Sequence, residues 1–504
     1  MWMDFVLDTI TDCPPTSREL DSPSTPPRRR TLLVALASAT ALHGLSSALI
    51  AALLPTLQNH YPGRATGTWI TSAFFLAAAL AAPTGGRLAD LFGARRVAVS
   101  GLVLVAVGSA LAALAPAPAW LVVARAITGV GTAVQYPAAL GLLRRHSSVT
   151  NATTGLAFIA VASEVAFAAA PSLGTAVMQW AGWRVAIAMP SLFAVVAAIL
   201  MLVGTSRERA AWAGWRRLLV TLDLPGMATF CAAVIVVVTF LITMPQPHWT
   251  LLVAFPVLVA VLWVWERRFA PVPFLAPRVV TDRDLVLTLG RTLLFYCCFY
   301  VVFYALPVWL AAHAVDASQI ALAMLPLPVA VVGTCLIARR VVRRAGAHVA
   351  LGIGAFGLLL AAALPLVPNV PELQIAVGVA ALLAVPAGLV NVANQRVLLY
   401  FAPVTHIASV GGMYRIAQFV GGGIAAAVLH LTDADDVLPK LSAVTAAGAA
   451  ILIVTSVIGV VRNRRSLTRT GRHRKIPREE CFGDESMSAA GEADVGQAVP
   501  PAPA

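Results

Sequence analysis

Apolar residues along this chain come in long unbroken runs set apart by short polar connections. The runs lie at 31–55, 67–86, 97–115, 119–143, 155–179, 183–204, 223–243, 248–266, 285–312, 317–338, 348–367, 372–396, 407–430 and 438–461. Each is close to the ~20 residues that a helix needs to cross a hydrocarbon core about 30 Å thick. They are rich in Leu, Ala and Val and show no alternation of period two, so they predict helices rather than barrel strands. The pattern predicts an all-α integral membrane protein with fourteen transmembrane helices.

The polar connections carry their own pattern. Arg28–Arg30 precede the first run, and the even-numbered connections hold Arg87/Arg95/Arg96, Arg144/Arg145, Arg207/Arg209/Arg216/Arg217, Arg267/Arg268/Arg278/Arg283 and Arg339/Arg340/Arg343/Arg344. Arg462, Arg464 and Arg465 follow the last run, whereas the odd connections hold little beyond Arg64, Arg184 and Lys440. Lys and Arg accumulate on the cytoplasmic side of short loops. The segregation predicts a multi-pass protein of the cell inner (plasma) membrane with both termini cytoplasmic, which requires an even number of spans.

Composition narrows the function classes. With 59% hydrophobic and 12% charged residues the chain is too apolar for a soluble globular protein. Its net charge of +13 is spread over every cytoplasmic connection, so topology accounts for it and no nucleic-acid partner is expected. The six cysteines form neither a disulfide framework nor a metal spacing. Residues 1–30 are polar and Pro-rich with Asp and Glu, unlike a cleavable signal, so the first span is expected to serve as an uncleaved anchor. The two tails have compositions that predict disorder. There is no Gly-x-x-x-x-Gly-Lys-Ser/Thr loop for an ATP-driven pump and no convincing His/Asp/Glu cluster for a membrane enzyme, so neither an enzyme nor a cofactor is expected.

Between the second and third runs stands Gly85-Gly86-Arg87-Leu88-Ala89-Asp90-Leu91-Phe92-Gly93-Ala94-Arg95-Arg96. Gly86 and Gly93 would let two helix ends approach closely, and Asp90 with Arg95/Arg96 would hold neighbouring helices by charge. Span 4 carries Arg125-Ala126-Ile127-Thr128-Gly129-Val130-Gly131. Span 5 carries Ala166 to Thr175 around Pro171 and Gly174, followed by Gly182-Trp183-Arg184. Leu222-Asp223-Leu224-Pro225-Gly226 opens span 7 and Trp265-Glu266-Arg267-Arg268 closes span 8, while span 13 is Gly-rich at Gly411-Gly412 and Gly421-Gly422.

These motifs resemble the fourteen-helix drug:proton antiporter family of the major facilitator superfamily, over about 30–465. The resemblance implies the major facilitator fold, with two six-helix bundles plus two inserted central helices. It divides the chain into a cytoplasmic tail (1–30), an N-terminal bundle (31–204), inserted helices 7–8 with linkers (205–284), a C-terminal bundle (285–462) and a second tail (463–504). It implies a conformational-switch loop at Gly86, Asp90, Gly93 and Arg95, an antiporter-motif helix at Pro171 and Gly174, and a functional intramembrane arginine at Arg125. The chain also departs from the family. Leu91 and Ala94 stand where the loop usually has arginines, Ala166 and Ala170 replace glycines, and in span 1 Ser46 replaces the acid and Ala51 the amide.

An alternately protonated carboxylate is the simplest proton-coupling device in a membrane. With the span-1 acid gone, Glu164 is the other acid deep in a span and is the preferred carrier, with Arg125 and His43 as further proton-coupling candidates. The competing reading of Glu164 is a fixed structural pair with Arg125, Arg291 or Arg415. Candidates for a substrate cavity are Arg291, Tyr296, Tyr300, Asn391, Asn394, Arg415 and Gln418. Asn391 and Asn394 lie three apart on one helix face, although polar residues also serve as interhelical glue. The Phe295/Phe299/Phe303 and Tyr296/Tyr300/Tyr304 stripes of span 9 suit either a ligand wall or packing. Together these features predict a monomeric secondary transporter exporting small lipophilic or amphipathic compounds against protons by alternating access. A proton-independent facilitator and a transporter-like ligand sensor are the alternatives.

Overall fold

The structure, a computed structural model, describes residues 26–63, 65–146, 149–205, 223–244, 248–271, 273, 282–401, 407–433 and 436–469. The outer parts of both tails, 1–25 and 470–504, lie outside the described residues. Every regular element among those described is helical: α1 Pro26–His60, α2 Thr66–Phe92, α3 Ala94–Ala113, α4 Pro118–Ala133, α5 Gln135–His146, α6 Val149–Gly204, α7 Leu224–Ile242, α8 Trp249–Arg268, α9 Arg283–Ala312, α10 Ala317–Met324, α11 Pro326–Ala345, α12 Ala347–Ala363, α13 Glu372–Phe401, α14 Ile407–Val428 and α15 Val437–Arg469, with 3-10 turns at Leu364–Leu366 and Leu429–Leu431. α1 begins before the predicted first span and takes in Arg28–Arg30, and α15 continues past 462, so helix runs on beyond the first and last spans.

Thirteen stretches among the described residues are long and apolar enough to cross a membrane, one fewer than the pattern predicts. The difference lies in α6. Its 56 residues would span about 84 Å if straight, far more than one bilayer core. At Gly182 the backbone turns out of the helix (φ 82, ψ 167), at the boundary between the predicted spans 5 and 6. That positive φ favours glycine.

Glycine and small residues decide how closely the helices meet. A Cβ on Gly129 of α4 would land on the carbonyl oxygen of Phe74 in α2, and one on Gly131 would stand 2.6 Å from the Gly101 carbonyl of α3. Gly421 of α14 abuts the Leu293 carbonyl of α9 at 2.8 Å on the same test. α1 packs along α6, α2 and α3 on α4, α12 on α13, and α9 on α14. The earlier helices meet the later ones mainly where α2 packs on α14, α6 on α10 and α11, and α1 on α9. Hydrogen bonds reinforce them. Thr68 Oγ1 donates to Ala426 O (3.2 Å), Ser72 Oγ to Gly423 O (3.0 Å), Ser172 Oγ to Ala321 O (2.9 Å) and Tyr304 OH to Ser47 O (2.9 Å). At the end of the molecule where α1 meets α2 and α14 meets α15, a cavity of about 180 Å³ lies among Gln58, Thr68, Thr71, His430 and Asp433.

The α7–α8 pair stands against this assembly. Val234 and Val238 of α7 pack on Ala427 of α14 with Trp69 and Leu76 of α2. α8 is mostly exposed and apolar, with Leu252, Val253, Val257 and Val261 outward, the surface a lipid-facing helix presents. The pair is fastened at one end by Asp223. Held at a left-handed φ of 47°, its carboxylate accepts from Gly226 N (3.3 Å), capping α7, and from Trp265 Nε1 of α8 (2.8 Å). Asp223 and Glu266 are both buried, and Arg87 of α2 lies within electrostatic reach of the two. Arg87 also donates to the Pro273 carbonyl. Asp223→Ala removes a cap and orphans the Trp265 N–H, so it is expected to destabilise the pair by about 1–3 kcal/mol. Hydrogen exchange of α7 and α8 checks it, with unchanged protection as the contrary result.

Candidate functional site

The charged turn after α2 is built on Gly93. It caps α2 through its N–H on Ala89 O (3.0 Å) and, at φ 92, opens α3 with no intervening loop. Arg95 then reaches α6, donating from Nε to Thr205 Oγ1 (2.8 Å) and from Nη2 to Leu202 O (3.1 Å). The close approach expected at Gly86 belongs to its neighbour. A Cβ on Gly85 would stand 3.1 Å from Val134 and Pro137 of the α4–α5 junction, while one on Gly86 would meet only ordinary contact at 3.8 Å. The Asp90 side chain lies outside what the structure describes.

The acid of α6 sits in a polar chain built from four helices. Glu164 Oε1 accepts from Asn391 Nδ2 of α13 at 2.8 Å. Asn391 Oδ1 in turn accepts from the hydroxyl of Tyr414 in α14 at 3.1 Å, and that hydroxyl lies 3.3 Å from the hydroxyl of Tyr296 in α9. Glu164 thus pairs with an amide where an arginine partner was the competing expectation. Arg415 is nonetheless within electrostatic reach of Glu164. Its guanidinium lies 4.3 Å from the centroid of the Tyr136 ring of α5 and donates to Gln418 Oε1 at 2.9 Å. Tyr414 and Tyr136 complete this arrangement, and neither was singled out from the sequence. Tyr414 was discoverable as the neighbour of Arg415 in a Gly-rich helix otherwise poor in polar groups.

Both aromatic stripes of α9 are buried. Phe167 of α6 packs on Phe299, Tyr300 and Phe303, nearest to Phe303 at 4.7 Å between ring centroids, and Phe75 of α2 meets Tyr300 at 5.0 Å. The Tyr face therefore looks toward α1, α2 and α14, with Tyr304 on the Ser47 carbonyl and Tyr296 on Tyr414.

A second group surrounds α4. Arg125, 4% exposed, has its guanidinium 4.4 Å from the centroid of Phe74, and its Nε and Nη2 have no hydrogen-bond partner among the described residues. His43 of α1 lies between Phe74 and Phe419, at 5.4 and 4.6 Å. Its Nδ1 is 3.1 Å from Thr132 Oγ1, a hydroxyl that also lies 3.1 Å from Gly129 O. The His43 Nε2 is buried with no hydrogen-bond partner among the described residues. Ser46, at the position of the family's acid, is fully buried, with no partner for its hydroxyl among the described residues.

Arg291 and Asn394 meet each other rather than the Glu164 chain: Arg291 Nη2 donates to Asn394 Oδ1 at 3.3 Å, among residues of α12 and α15. In α6, Pro171 accepts from Thr175 Oγ1 through its carbonyl (2.9 Å), and Gly174 makes room for the Leu49 side chain of α1. No group of His, Cys, Asp or Glu among the described residues has metal-binding geometry.

Comparison with known proteins agrees with this architecture. The profile described as the Major Facilitator Superfamily matches residues 36–426. The chain is 26% identical over 444 residues to an uncharacterised MFS-type transporter, YwoD, of Bacillus subtilis (strain 168), covering 86% of this chain and 98% of that one. It is 28% identical over 429 residues to the tetracenomycin C resistance and export protein of Streptomyces glaucescens, covering 81% and 77%. In fold it is similar to the xylose transporter XylE of E. coli in a partially occluded inward-open conformation, with a TM-score of 0.58, 14% identity and coverage of 85% and 97%.

Proposed function

This chain belongs to the Major Facilitator Superfamily, and from that premise we propose that it is a proton-coupled exporter of small lipophilic or amphipathic compounds that works by alternating access. As a member it is a multi-pass membrane transporter for small molecules and not an enzyme. The proposal adds the coupling ion, the direction and the cargo class. The export name of the Streptomyces relative supports direction and cargo.

The observation that carries the coupling is the Glu164–Asn391 hydrogen bond, which ties α6 to α13 across the two halves of the chain. An ionised carboxylate accepts from the amide N–H in a charge-assisted bond, roughly twice as strong as a neutral one. Protonation removes that assistance and turns one oxygen into a donor that needs an acceptor. The Asn391 carbonyl, which already receives Tyr414, links this change to the chain that runs on to Tyr296. Proton occupancy thereby sets how firmly the halves hold together. Arg415, within electrostatic reach of Glu164 and stacked on Tyr136, carries a charge that would repel an incoming lipophilic cation. Arg125 and His43 form a second, smaller polar group on the same interior.

In this reading the arms of α6 that meet at Gly182 are separate spans. That gives fourteen, with bundles over 31–204 and 285–462, the α7–α8 pair inserted within 205–284, both termini cytoplasmic and a monomer as the working unit. The cavity around Gln58 and His430 then opens to the outside.

A facilitator without proton coupling is favoured by one observation, the uncharged Ser46 in the position of the family's acid. Proteoliposomes decide between the two. A lipophilic cationic dye added at the cytoplasmic face is expected to drive proton movement, and an imposed pH gradient is expected to drive dye flux. Dye flux indifferent to the gradient would make the protein a facilitator. Dye binding with no flux would make it a sensor.

A further inference from the structure

The α7–α8 pair touches both halves of the molecule, but through joints of different chemistry. At the Asp223 end the joint is charged and buried. Asp223 and Glu266 are each only 4% exposed, and both carboxylates converge on Gly226, where an added Cβ would collide with the Asp223 carboxylate and stand 3.0 Å from Glu266 Oε1. Trp265 Nε1 donates to Asp223 at 2.8 Å. Arg87 of α2 stands within electrostatic reach of the two acids and donates to the Pro273 carbonyl just beyond α8. Toward the other end the joint is apolar: Val234 and Val238 of α7 lie on Ala427 of α14, with Trp69 and Leu76 of α2 beside them.

The two joints answer motion differently. Withdrawing Arg87 would leave two acids buried without their cation, and a buried charge group that loses one member is strongly destabilised. Parting valine from alanine costs far less, because lipid tails are as apolar as the side chains whose place they take. The turn of α14 that α7 touches is also the turn that holds α2. There Ala426 O receives Thr68 Oγ1 and Gly423 O receives Ser72 Oγ, one and four residues before Ala427. When the halves separate at that end these two hydrogen bonds open, and Ala427 leaves with its neighbour. We infer that the inserted α7–α8 pair is carried by the first half of the chain, with Arg87 as its anchor, and that α14 slides off α7 each time the halves separate. The inference rests on the alternating-access reading. It makes the insert a flap of the first bundle, laid over the line where α2 meets α14 and staying on α2 while that line opens.

Distances between spin labels test it. The labels, carried by a genetically encoded amino acid so that the native cysteines stay in place, go on exposed sites: Val257 of α8, Val103 of α3 and Val454 of α15. Pairs are measured by pulsed electron resonance in lipid nanodiscs at acid and alkaline pH, with and without tetraphenylphosphonium. Between conditions the α3–α15 and α8–α15 distances are expected to change by about 5 Å or more, while the α8–α3 distance stays within about 2 Å. If α3–α15 changes and α8–α15 does not, the pair belongs to the second half and the inference is overturned; α8 moving against both halves overturns it as well. A constant α3–α15 distance removes alternating access itself, and the inference falls with it. In Arg87→Gln the α8–α3 distribution is expected to broaden, and a native distribution in the folded variant takes the anchor away from Arg87. Should that variant fail to fold, Glu266→Gln makes the same comparison.

Discussion

Glu164→Gln is expected to abolish transport driven by a pH gradient while leaving the protein folded and still able to bind its ligands. Glutamine preserves the size of the side chain and offers Asn391 Nδ2 the same acceptor at the 2.8 Å position. It removes the capacity to ionise, and with it the switch between a charge-assisted and a neutral bond. Gradient-driven dye flux in proteoliposomes should fall by on the order of tenfold or more, toward the rate of empty vesicles. Exchange of dye at equal pH on both sides should be retained. Gradient-driven flux equal to native would remove Glu164 from coupling and transfer that role to the Arg125–His43 group. Loss of both kinds of flux would instead mark Glu164 as part of the binding surface.

Gly129→Val is expected to eliminate the folded protein. The added side chain has no flexible neighbour to displace, because its Cβ would collide with the main-chain carbonyl of Phe74 and approach the Phe74 Cα at 3.2 Å. α4 and α2 would have to separate, and they are joined along much of their length around Phe74, the ring on which Arg125 and His43 also rest. Overpacking of a tight core costs about 1–3 kcal/mol where side chains can yield, and more where backbone must move. Gly290→Ala is the control, since nothing lies within 4 Å of the position where its Cβ would be. That change should be neutral or stabilising by up to about 1 kcal/mol. Size-exclusion profiles and detergent melting temperatures of the two variants check the contrast. A native profile for the valine variant would mean that the helices pack less tightly here than the glycine implies.

The helices were largely legible because crossing a bilayer imposes a length and a composition that any window of the chain reveals. Predicted spans at 97–115 and 223–243 became Ala94–Ala113 and Leu224–Ile242. Asp223 and Trp265 were legible only as the two ends of an insert; that they join in one hydrogen bond is seen in the structure alone. The partners of the interior polar groups were not legible. Glu164 and Asn391 are 227 positions apart, and which residue faces the acid depends on the rotation of α13, fixed by packing around Gly354 and Gly388 rather than by any local signal. Pairing by charge alone pointed to an arginine, yet the structure supplies an amide and leaves Arg291 to Asn394. The slip from Gly85 to Gly86 has the same origin. Two adjacent glycines are indistinguishable in sequence, and only the neighbouring helix decides which one must lack a side chain.

Gly93 has a counterpart in Gly346. It ends α11 through its N–H on Val342 O at 3.1 Å, starts α12, and takes φ 91 against 92 at Gly93. In each place one residue closes one helix and opens the next, whereas α3 and α4 are separated by Leu114–Ala117 and α9 and α10 by His313–Asp316. A joint of one residue has no slack. α2 with α3, and α11 with α12, cannot slide past each other lengthwise; each pair can only tilt as a stiff bracket, with bending confined to a single peptide corner.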